Sequence, residues 1–304
     1  MLSALVTGAT GFVGTKLLAR LDQPTVLSRS VERAAALVAP RGGRAFGWDP
    51  LAGPPPAAAF EGIEAIFHLA GDPVAEGRWT ARKKASIRDS RVLGTRHLVA
   101  ALRDLPRRPA VLVSASAIGY YGSRGAECLD EASAPGNDYL AQVCQAWEQE
   151  ALAARELGLR VVPVRIGIVL GPGGGALAKM LPPFYAGLGS PLGSGEQYMS
   201  WIHLDDLVEL LLFAAREPAL GGPTNGVAPG AVTNREFTRT LARVLGRPAF
   251  LPPMPGFVLK TLVGEFAEVL LASQRVVPRA AQSAGFTFRF SELEPALRDV
   301  LGRT

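Results

Sequence analysis

Cysteine, histidine and long apolar runs are all scarce in this chain, and each shortage excludes a class of protein. Two cysteines, Cys128 and Cys144, in 304 residues cannot build a disulfide framework, and three histidines leave no metal-ligand cluster. No apolar run reaches the roughly 18–20 residues that a membrane-spanning helix needs, so no membrane partner is expected. The chain passes from Met1 straight into a strand-like Ser3-Ala-Leu-Val-Thr7, without a basic stretch or cleavage site. No signal peptide is therefore expected, and a cytoplasmic location is the default. There is no internal repeat and no low-complexity tract. Charged residues make up only 19% against 48% hydrophobic, which is a globular balance and not a disordered one.

What is present is a length that allows one large α/β unit or two modest domains. The net charge of +5 comes from dispersed basic residues. The densest group, Arg82-Lys83-Lys84 followed by Arg88 and Arg91, reads as the solvated face of a helix, and no nucleic-acid partner is expected. Short aliphatic runs at residues 4–7, 25–28, 44–48, 65–69, 110–114 and 160–166 alternate with amphipathic stretches at 12–21, 80–103 and 139–157. Such alternation predicts an α/β fold, a doubly wound parallel sheet of the Rossmann type covered by helices on both faces. After Gly171 the pattern changes to Pro/Gly-rich loops (171–175 and 187–195) and separate helices near 205–216, 234–245, 256–271 and 292–301. The expected division is a dinucleotide-binding domain at 1–170, with 200–230 returning to it. Residues 171–304 would then form a smaller mixed α/β lobe for substrate with a C-terminal helical segment.

Thr7-Gly8-Ala9-Thr10-Gly11-Phe12-Val13-Gly14 follows the first strand and opens the first helix. Glycines at 8, 11 and 14 permit a tight turn, close approach of a pyrophosphate and close helix–sheet packing, and the helix start offers free N–H groups to an anion. Thr10, Phe12 and Val13 lie within that loop and helix start. At the end of the second strand, where Asp or Glu would accept from a ribose 2′-OH, the chain has Leu27-Ser28-Arg29-Ser30. Ser28 and Arg29 suit a 2′-phosphate, so NADP is the expected cofactor. His68-Leu69-Ala70-Gly71 ends the fourth strand. Leu69, Ala70 and Gly71 would let the backbone pass beneath a ribose, while His68 reads as a packed strand-end residue. Asp49 either meets the adenine amino group or shapes the turn before Pro50.

The fifth strand runs into Ser114-Ala-Ser-Ala-Ile-Gly-Tyr-Tyr-Gly122, and Asn137-Asp-Tyr139-Leu-Ala-Gln-Val143-Cys144 opens a helix. On these residues the chain resembles an extended short-chain dehydrogenase/reductase of the nucleotide-sugar-epimerase-like branch, whose members are often labelled cell-division inhibitors. Further matching segments are Arg78-Trp-Thr80, Ser90-Arg-Val-Leu-Gly-Thr95, Val164-Arg-Ile-Gly-Ile-Val-Leu-Gly171, Ser200-Trp-Ile-His-Leu-Asp-Asp206 and Ser273-Gln-Arg-Val-Val-Pro278, including the branch's C-terminal segment.

The resemblance implies a Ser and a Tyr-x-x-x-Lys pair acting on a carbinol or carbonyl oxygen while hydride moves to or from the nicotinamide. Ser116 falls at the serine position and Tyr139 at the tyrosine position, but Val143 stands where the lysine belongs. A phenol near pKa ~10 is a poor base at neutral pH without a nearby cation. Arg91, in place of the superfamily's helix asparagine, is one candidate to compensate and is also placed at the cofactor. Tyr121 or Tyr120 is an alternative proton donor or a pocket wall. Asp205 and Asp206 are expected as an N-cap and a structural hydrogen-bond pair. Lys179, Tyr198 and Arg275 face a substrate anion or are ordinary surface groups. The expected activity is that of an NADP(H)-dependent oxidoreductase or epimerase acting on a small-molecule carbonyl or secondary alcohol, of the sugar or nucleotide-sugar kind. The alternative is a non-catalytic NADP(H)-binding redox sensor. By the same resemblance, the helices at 80–103 and 139–157 would pair across a two-fold axis in a homodimer.

Overall fold

A computed structural model describes residues 2–303. In chain order the first half comprises β1 (Ala4–Thr7), α1 (Phe12–Leu18), β2 (Thr25–Ser28), α2 (Val31–Val38), β3 (Arg44–Gly47), β4 (Ala65–His68), α3 (Ala81–Ala101), β5 (Val111–Ala117), β6 (Cys128–Leu129), α4 (Tyr139–Leu152) and β7 (Arg160–Ile166). The second half comprises β8 (Ile168–Leu170), α5 (Gly175–Tyr185), β9 (Tyr198–Met199), β10 (Trp201–His203), α6 (Leu204–Arg216), β11 (Thr224–Gly226), β12 (Val232–Thr233), α7 (Asn234–Leu245), α8 (Gly256–Val263), α9 (Phe266–Leu271), β13 (Arg275–Val276), α10 (Arg279–Ser283) and α11 (Leu293–Val300).

Seven strands form one parallel sheet in the order β11-β7-β5-β4-β1-β2-β3. Both faces are buried, so adjacent residues of a strand feed opposite cores. Val6, Phe67, Val113 and Val162 pack with Leu17 and Leu18 of α1 and Leu207 and Leu211 of α6. Leu5, Ile66, Leu112 and Val161 pack with Leu98 and Val99 of α3 and Ala151 of α4. Strand order reverses between β1 and β4, which opens a crevice at the carboxyl ends of those two strands.

A third core unites Trp201, Phe237, Leu241, Phe290 and Leu297 in the C-terminal lobe. There β8 pairs β10, and β9 pairs β12 antiparallel. The chain crosses between the two parts repeatedly: α6 and β11 belong to the sheet, and Ala281 of α10 packs in its first core. Arg275 and Val276 of β13 also return to pair with Cys128 and Leu129 of β6.

Several elements differ from the sequence expectation. The stretch 256–271 is two helices, because Gly264 turns the chain at φ +67 between α8 and α9. The 139–157 helix tightens into a 3-10 turn after Leu152. Helix α5, with Pro182 and Pro183 inside it, fills the interval between the two glycine-rich loops. Helix α6 is capped by His203, whose Nδ1 accepts from the Asp205 N–H at 3.1 Å, and not by either aspartate. Asp206 instead accepts from the backbone N–H groups of Arg289 and Phe290 at 3.0 and 2.9 Å, while Asp205 pairs with Lys16 at 2.8 Å. No helix among the described residues is long and apolar enough to cross a membrane.

Candidate functional site

The crevice is lined first by backbone. Gly8 sits at φ +68, and a Cβ there would come within 2.6 Å of the Leu69 carbonyl. A Cβ on Gly14 would collide with the Gly8 carbonyl oxygen, so helix α1 packs flush on the turn. Gly11 caps α1 with no side-chain hydrogen bond, leaving its first-turn N–H groups to whatever fills the crevice. Thr10 and Val13 are half-buried at this turn. Phe12 points away from it, its ring against Gly171, Gly174 and Gly175, where Cβ atoms would come within 2.5–2.9 Å. The Gly171-Pro-Gly-Gly-Gly175 run is therefore the complement of one aromatic ring.

Thr7, Leu69, Ala70 and His68 lock β1 to β4. The Thr7 hydroxyl accepts from the Leu69 and Ala70 N–H groups, both at 3.2 Å, and so donates to His68 Nδ1 at 2.7 Å. That fixes the tautomer: His68 Nε2–H donates to the Thr95 hydroxyl at 2.9 Å. Burial pushes the His68 pKa down to about 4, so it is a neutral structural residue.

On the β2–β3 side, Ser28 accepts from the Ser30 N–H at 3.2 Å, and Arg29 projects exposed from the end of β2. Asp49 uses one oxygen on the Leu51 N–H at 3.0 Å, so it shapes its turn. Asp49 also lines a recess of about 280 Å³ with Gly47, Trp48, Ala52, Gly53 and Pro54. A cavity of about 540 Å³ beside Thr224 and Ala280 lies at the amino end of β11, the sheet edge opposite the glycine turn.

Gly71 abuts the Arg91 guanidinium, whose Cζ a Cβ would approach to 3.0 Å. Arg91 donates from one nitrogen to the carbonyls of Asp72 and Ile87, at 2.9 and 3.1 Å, and lies over the Trp147 ring. The residues following Gly71 are strapped to α3 and to the other lobe. Lys83 pairs with Asp72 at 2.7 Å, Lys179 donates to the Ala75 carbonyl at 2.6 Å, and Arg78 donates to the Thr261 carbonyl at 3.2 Å. Lys179 is thus engaged with the strap, and Arg275 is stacked on Tyr198.

Trp79, held by the Val74 carbonyl, wedges between Tyr139 and Phe266. The Tyr139 hydroxyl donates to the Lys84 carbonyl of α3 at 2.5 Å. Burial raises the Tyr139 pKa, and Arg88 and Arg91 work against that rise. Val143, one turn along α4, is 3% exposed, and the neighbouring Cys144 thiol is pushed up to about 12 by burial.

Ser116 is 3% exposed and donates to Glu148 at 2.6 Å. Glu148 lies nine residues after Tyr139 on α4, about 13 Å of helix rise. The structure therefore directs the Ser116 hydroxyl to Glu148 of α4 and the Tyr139 hydroxyl to the Lys84 carbonyl of α3. Glu148 is held twice by Arg165, at 2.8 Å through each pair of atoms. Arg165 also donates to the Tyr121 hydroxyl at 3.0 Å, which itself donates to Asn225 at 2.7 Å. Tyr121 is fully buried and its pKa is pushed up to about 12 by that burial, so it is not offered to a substrate. Tyr120 is half-buried, with the Arg165 guanidinium 3.4 Å over its ring. The sequence reading missed Glu148 and the role of Arg165. The available signal was an arginine inside the apolar run of β7.

The glycine turn at a sheet crossover, the uncapped helix start and the exposed arginine at the end of β2 define a dinucleotide-binding α/β protein of the Rossmann type. Residues 4–227 match the NAD dependent epimerase/dehydratase family, and residues 254–300 match a domain of unknown function, DUF1731. The chain belongs to the NAD-dependent epimerase/dehydratase family. It is 42% identical over 317 residues to the chloroplastic epimerase family protein SDR39U1 homolog of Arabidopsis thaliana, covering 97% of this chain and 86% of that one. It is 33% identical to the epimerase family protein YfhF of Bacillus subtilis, over 97% of each chain. The crystal structure of human epimerase family protein SDR39U1 (isoform 2) with NADPH superimposes with a TM-score of 0.86 at 34% identity, covering 100% of both chains.

Proposed function

We propose that the protein binds NADP(H) and acts as an oxidoreductase or epimerase on a small-molecule carbonyl or secondary alcohol. The observation that carries the reading is the cradle at the β1–β4 crossover. Gly8 approaches the Leu69–Ala70 backbone too closely for any side chain, and Arg29 stands exposed where an acidic residue would select the other dinucleotide. The similar human protein was crystallised with NADPH, which supports the cofactor choice.

Gly8, Thr10, Gly11 and Val13 would hold the pyrophosphate, Ser28 and Arg29 the 2′-phosphate, Asp49 and its recess the adenine end, and Leu69–Gly71 with Arg91 the ribose side. When bound, the nicotinamide supplies or accepts a hydride. Tyr139 would give or take the proton at the substrate oxygen after releasing the Lys84 carbonyl. Ser116 would orient that oxygen only by leaving Glu148. The test is spectrophotometric. Purified protein should bind NADPH more tightly than NADH and oxidise it with members of a carbonyl panel that includes sugars and nucleotide-sugars.

The second reading, a non-catalytic NADP(H)-binding sensor, is favoured by Val143 and by the commitment of Ser116 to a buried ion pair. Tight NADPH binding with no turnover across the panel would select it. A homodimer through α3 and α4 is also proposed; it would bring the exposed Arg82, Arg88 and Arg96 to or beside the interface, and sedimentation velocity would show it as a concentration-dependent mass.

A further inference from the structure

We propose that Arg91 of α3 is the positioning residue that supplies the positive charge facing the Tyr139 phenolate when the phenol gives up its proton. The proposal rests on the reading that Tyr139 handles the proton. It names a source of charge on a different helix from the one where the lysine would stand.

The geometry places the two groups on one stripe of α3. The Tyr139 hydroxyl is bonded to the carbonyl of Lys84, and the Arg91 guanidinium curls back along the helix to the carbonyl of Ile87. Those two carbonyls are three residues apart, about 4.5 Å of helix rise and close to one turn, so they face the same side. The phenol and the guanidinium are therefore near neighbours over one turn of α3. The second Arg91 hydrogen bond, to the Asp72 carbonyl, and the Trp147 ring beneath it fix the head group there.

The cations around Tyr139 are each matched by a carboxylate, with one exception. Lys84, whose ammonium lies 5.5 Å from the Tyr139 ring centroid, is ion-paired with Glu265, which precedes α9. Arg88 is paired with Asp89 at 2.8 Å, and Lys83 takes the Asp72 carboxylate at 2.7 Å. Asp138 at the start of α4 accepts from the Ala141 N–H and keeps its negative charge, and Trp79 and Phe266 bring none. On α4 itself, Val143 is apolar and the Cys144 thiol is held neutral. Arg91 is half-buried, and no carboxylate lies within ion-pair distance of it among the described residues. A partly desolvated guanidinium bonded only to carbonyls favours a developing negative charge nearby, and the phenolate is that charge. Burial lowers the pKa of Arg91, and Cys144, Asp72 and Tyr139 work against that lowering.

The test reads the phenol directly. Protein labelled with carbon-13 at the tyrosine ζ carbon carries five resonances, one for each tyrosine, and Tyr139→Phe identifies the one that matters. In Arg91→Gln, whose amide can still donate to a carbonyl, the Tyr139 midpoint should rise by about one pH unit, a tenfold loss of phenolate at a given pH. Arg91→Met should give the same rise, so that either variant suffices if the other does not fold. Arg91→Lys should restore most of the difference, and Arg88→Gln should move the midpoint far less. An unchanged midpoint in a folded Arg91→Gln or Arg91→Met protein overturns the proposal. So does a raised midpoint that leaves the alkaline limb of alcohol oxidation unmoved. Loss of the functional reading has a separate signature, since a parent protein that turns over no substrate still reports the Tyr139 titration.

Discussion

The Ser116 hydroxyl donates a 2.6 Å hydrogen bond to Glu148, a carboxylate 5% exposed and gripped by the 2%-exposed Arg165. Because Arg165 also holds Tyr121, this pair ties β5, β7, α4 and the turn after β5 together. Glu148→Ala should cost about 3–5 kcal/mol of stability, since it strands a buried guanidinium. Glu148→Met combined with Arg165→Met should recover much of that loss. Urea unfolding of the single and double variants measures both. A single variant within about 1 kcal/mol of the parent contradicts the assignment.

Cofactor choice should follow Arg29. A charge-assisted hydrogen bond contributes about 1.5–3 kcal/mol, so the parent should prefer NADP over NAD by roughly 10–100-fold and Arg29→Asp should reverse the order. Calorimetric titration with both nucleotides reads the outcome, and equal affinities in the parent would count against it.

Gly8→Ala meets two obstacles at once. An L-residue at φ +68 costs about 1–2 kcal/mol, and its Cβ lies 2.6 Å from the Leu69 carbonyl. The variant should melt several degrees lower and lose NADPH binding, whereas Gly125→Ala, at φ +58 with nothing near its Cβ, should lose stability only. Melting curves with and without NADPH separate the two effects.

Tyr139→Phe should abolish most turnover and leave NADPH binding nearly unchanged. Burial holds the phenol protonated near neutrality, which is the form that donates to a reduced carbonyl. Carbonyl reduction should therefore be flat around pH 7. Alcohol oxidation, which needs the phenolate, should rise toward tenfold per pH unit on the alkaline side. A rate of oxidation independent of pH between 7 and 9 would rule out this proton donor.

His68 gives a stability prediction of the opposite kind. Its folded pKa is about 4 against 6.5 for the free side chain, so the unfolded chain takes up its proton first as the pH falls. The native state is fully favoured above about pH 6.5 and loses up to about 3 kcal/mol between there and pH 4. His68→Gln, which keeps the Thr7 and Thr95 partners, should flatten that part of the stability–pH curve in chemical denaturation. An equally steep decline in the variant would assign the loss to other groups.

The parts of the fold visible in the sequence are those set by neighbours along the chain. The glycine turn, the apolar strand runs and the paired helices at 80–103 and 139–157 are written in local periodicity, and the structure places elements there within a few residues, apart from the 3-10 ending of α4. The orientation of Ser116 is not local. Residue 116 shares the pleat of Leu112, which faces α3 and α4, and only the adjacency of β5 to β7 brings Arg165 and Glu148 to it. Tyr121 likewise sits at a strand end by position but is turned inward by the 3-10 turn Ile118–Tyr121. The Phe12 contact with Gly174 links segments that no periodicity connects. Two prolines concealed α5, whose helix rests on packing of Leu177 and Phe184.

The pairing of β6 with β13 also sets the order in which the molecule can be completed. Cys128 and Leu129 wait for Arg275 and Val276, 147 positions later, and the Gln274 amide donates to both the Ile118 and the Gly122 carbonyls. At synthesis rates of about 5–20 residues per second, the turn bearing Tyr120 and Tyr121 stays open for roughly 7–30 s after it leaves the ribosome. A nascent chain therefore exposes the carboxyl edge of its sheet throughout that interval. A ribosome stalled between residues 226 and 274 holds a seven-stranded sheet that is complete in sequence and unsealed in space, the form on which a chaperone or a protease would act.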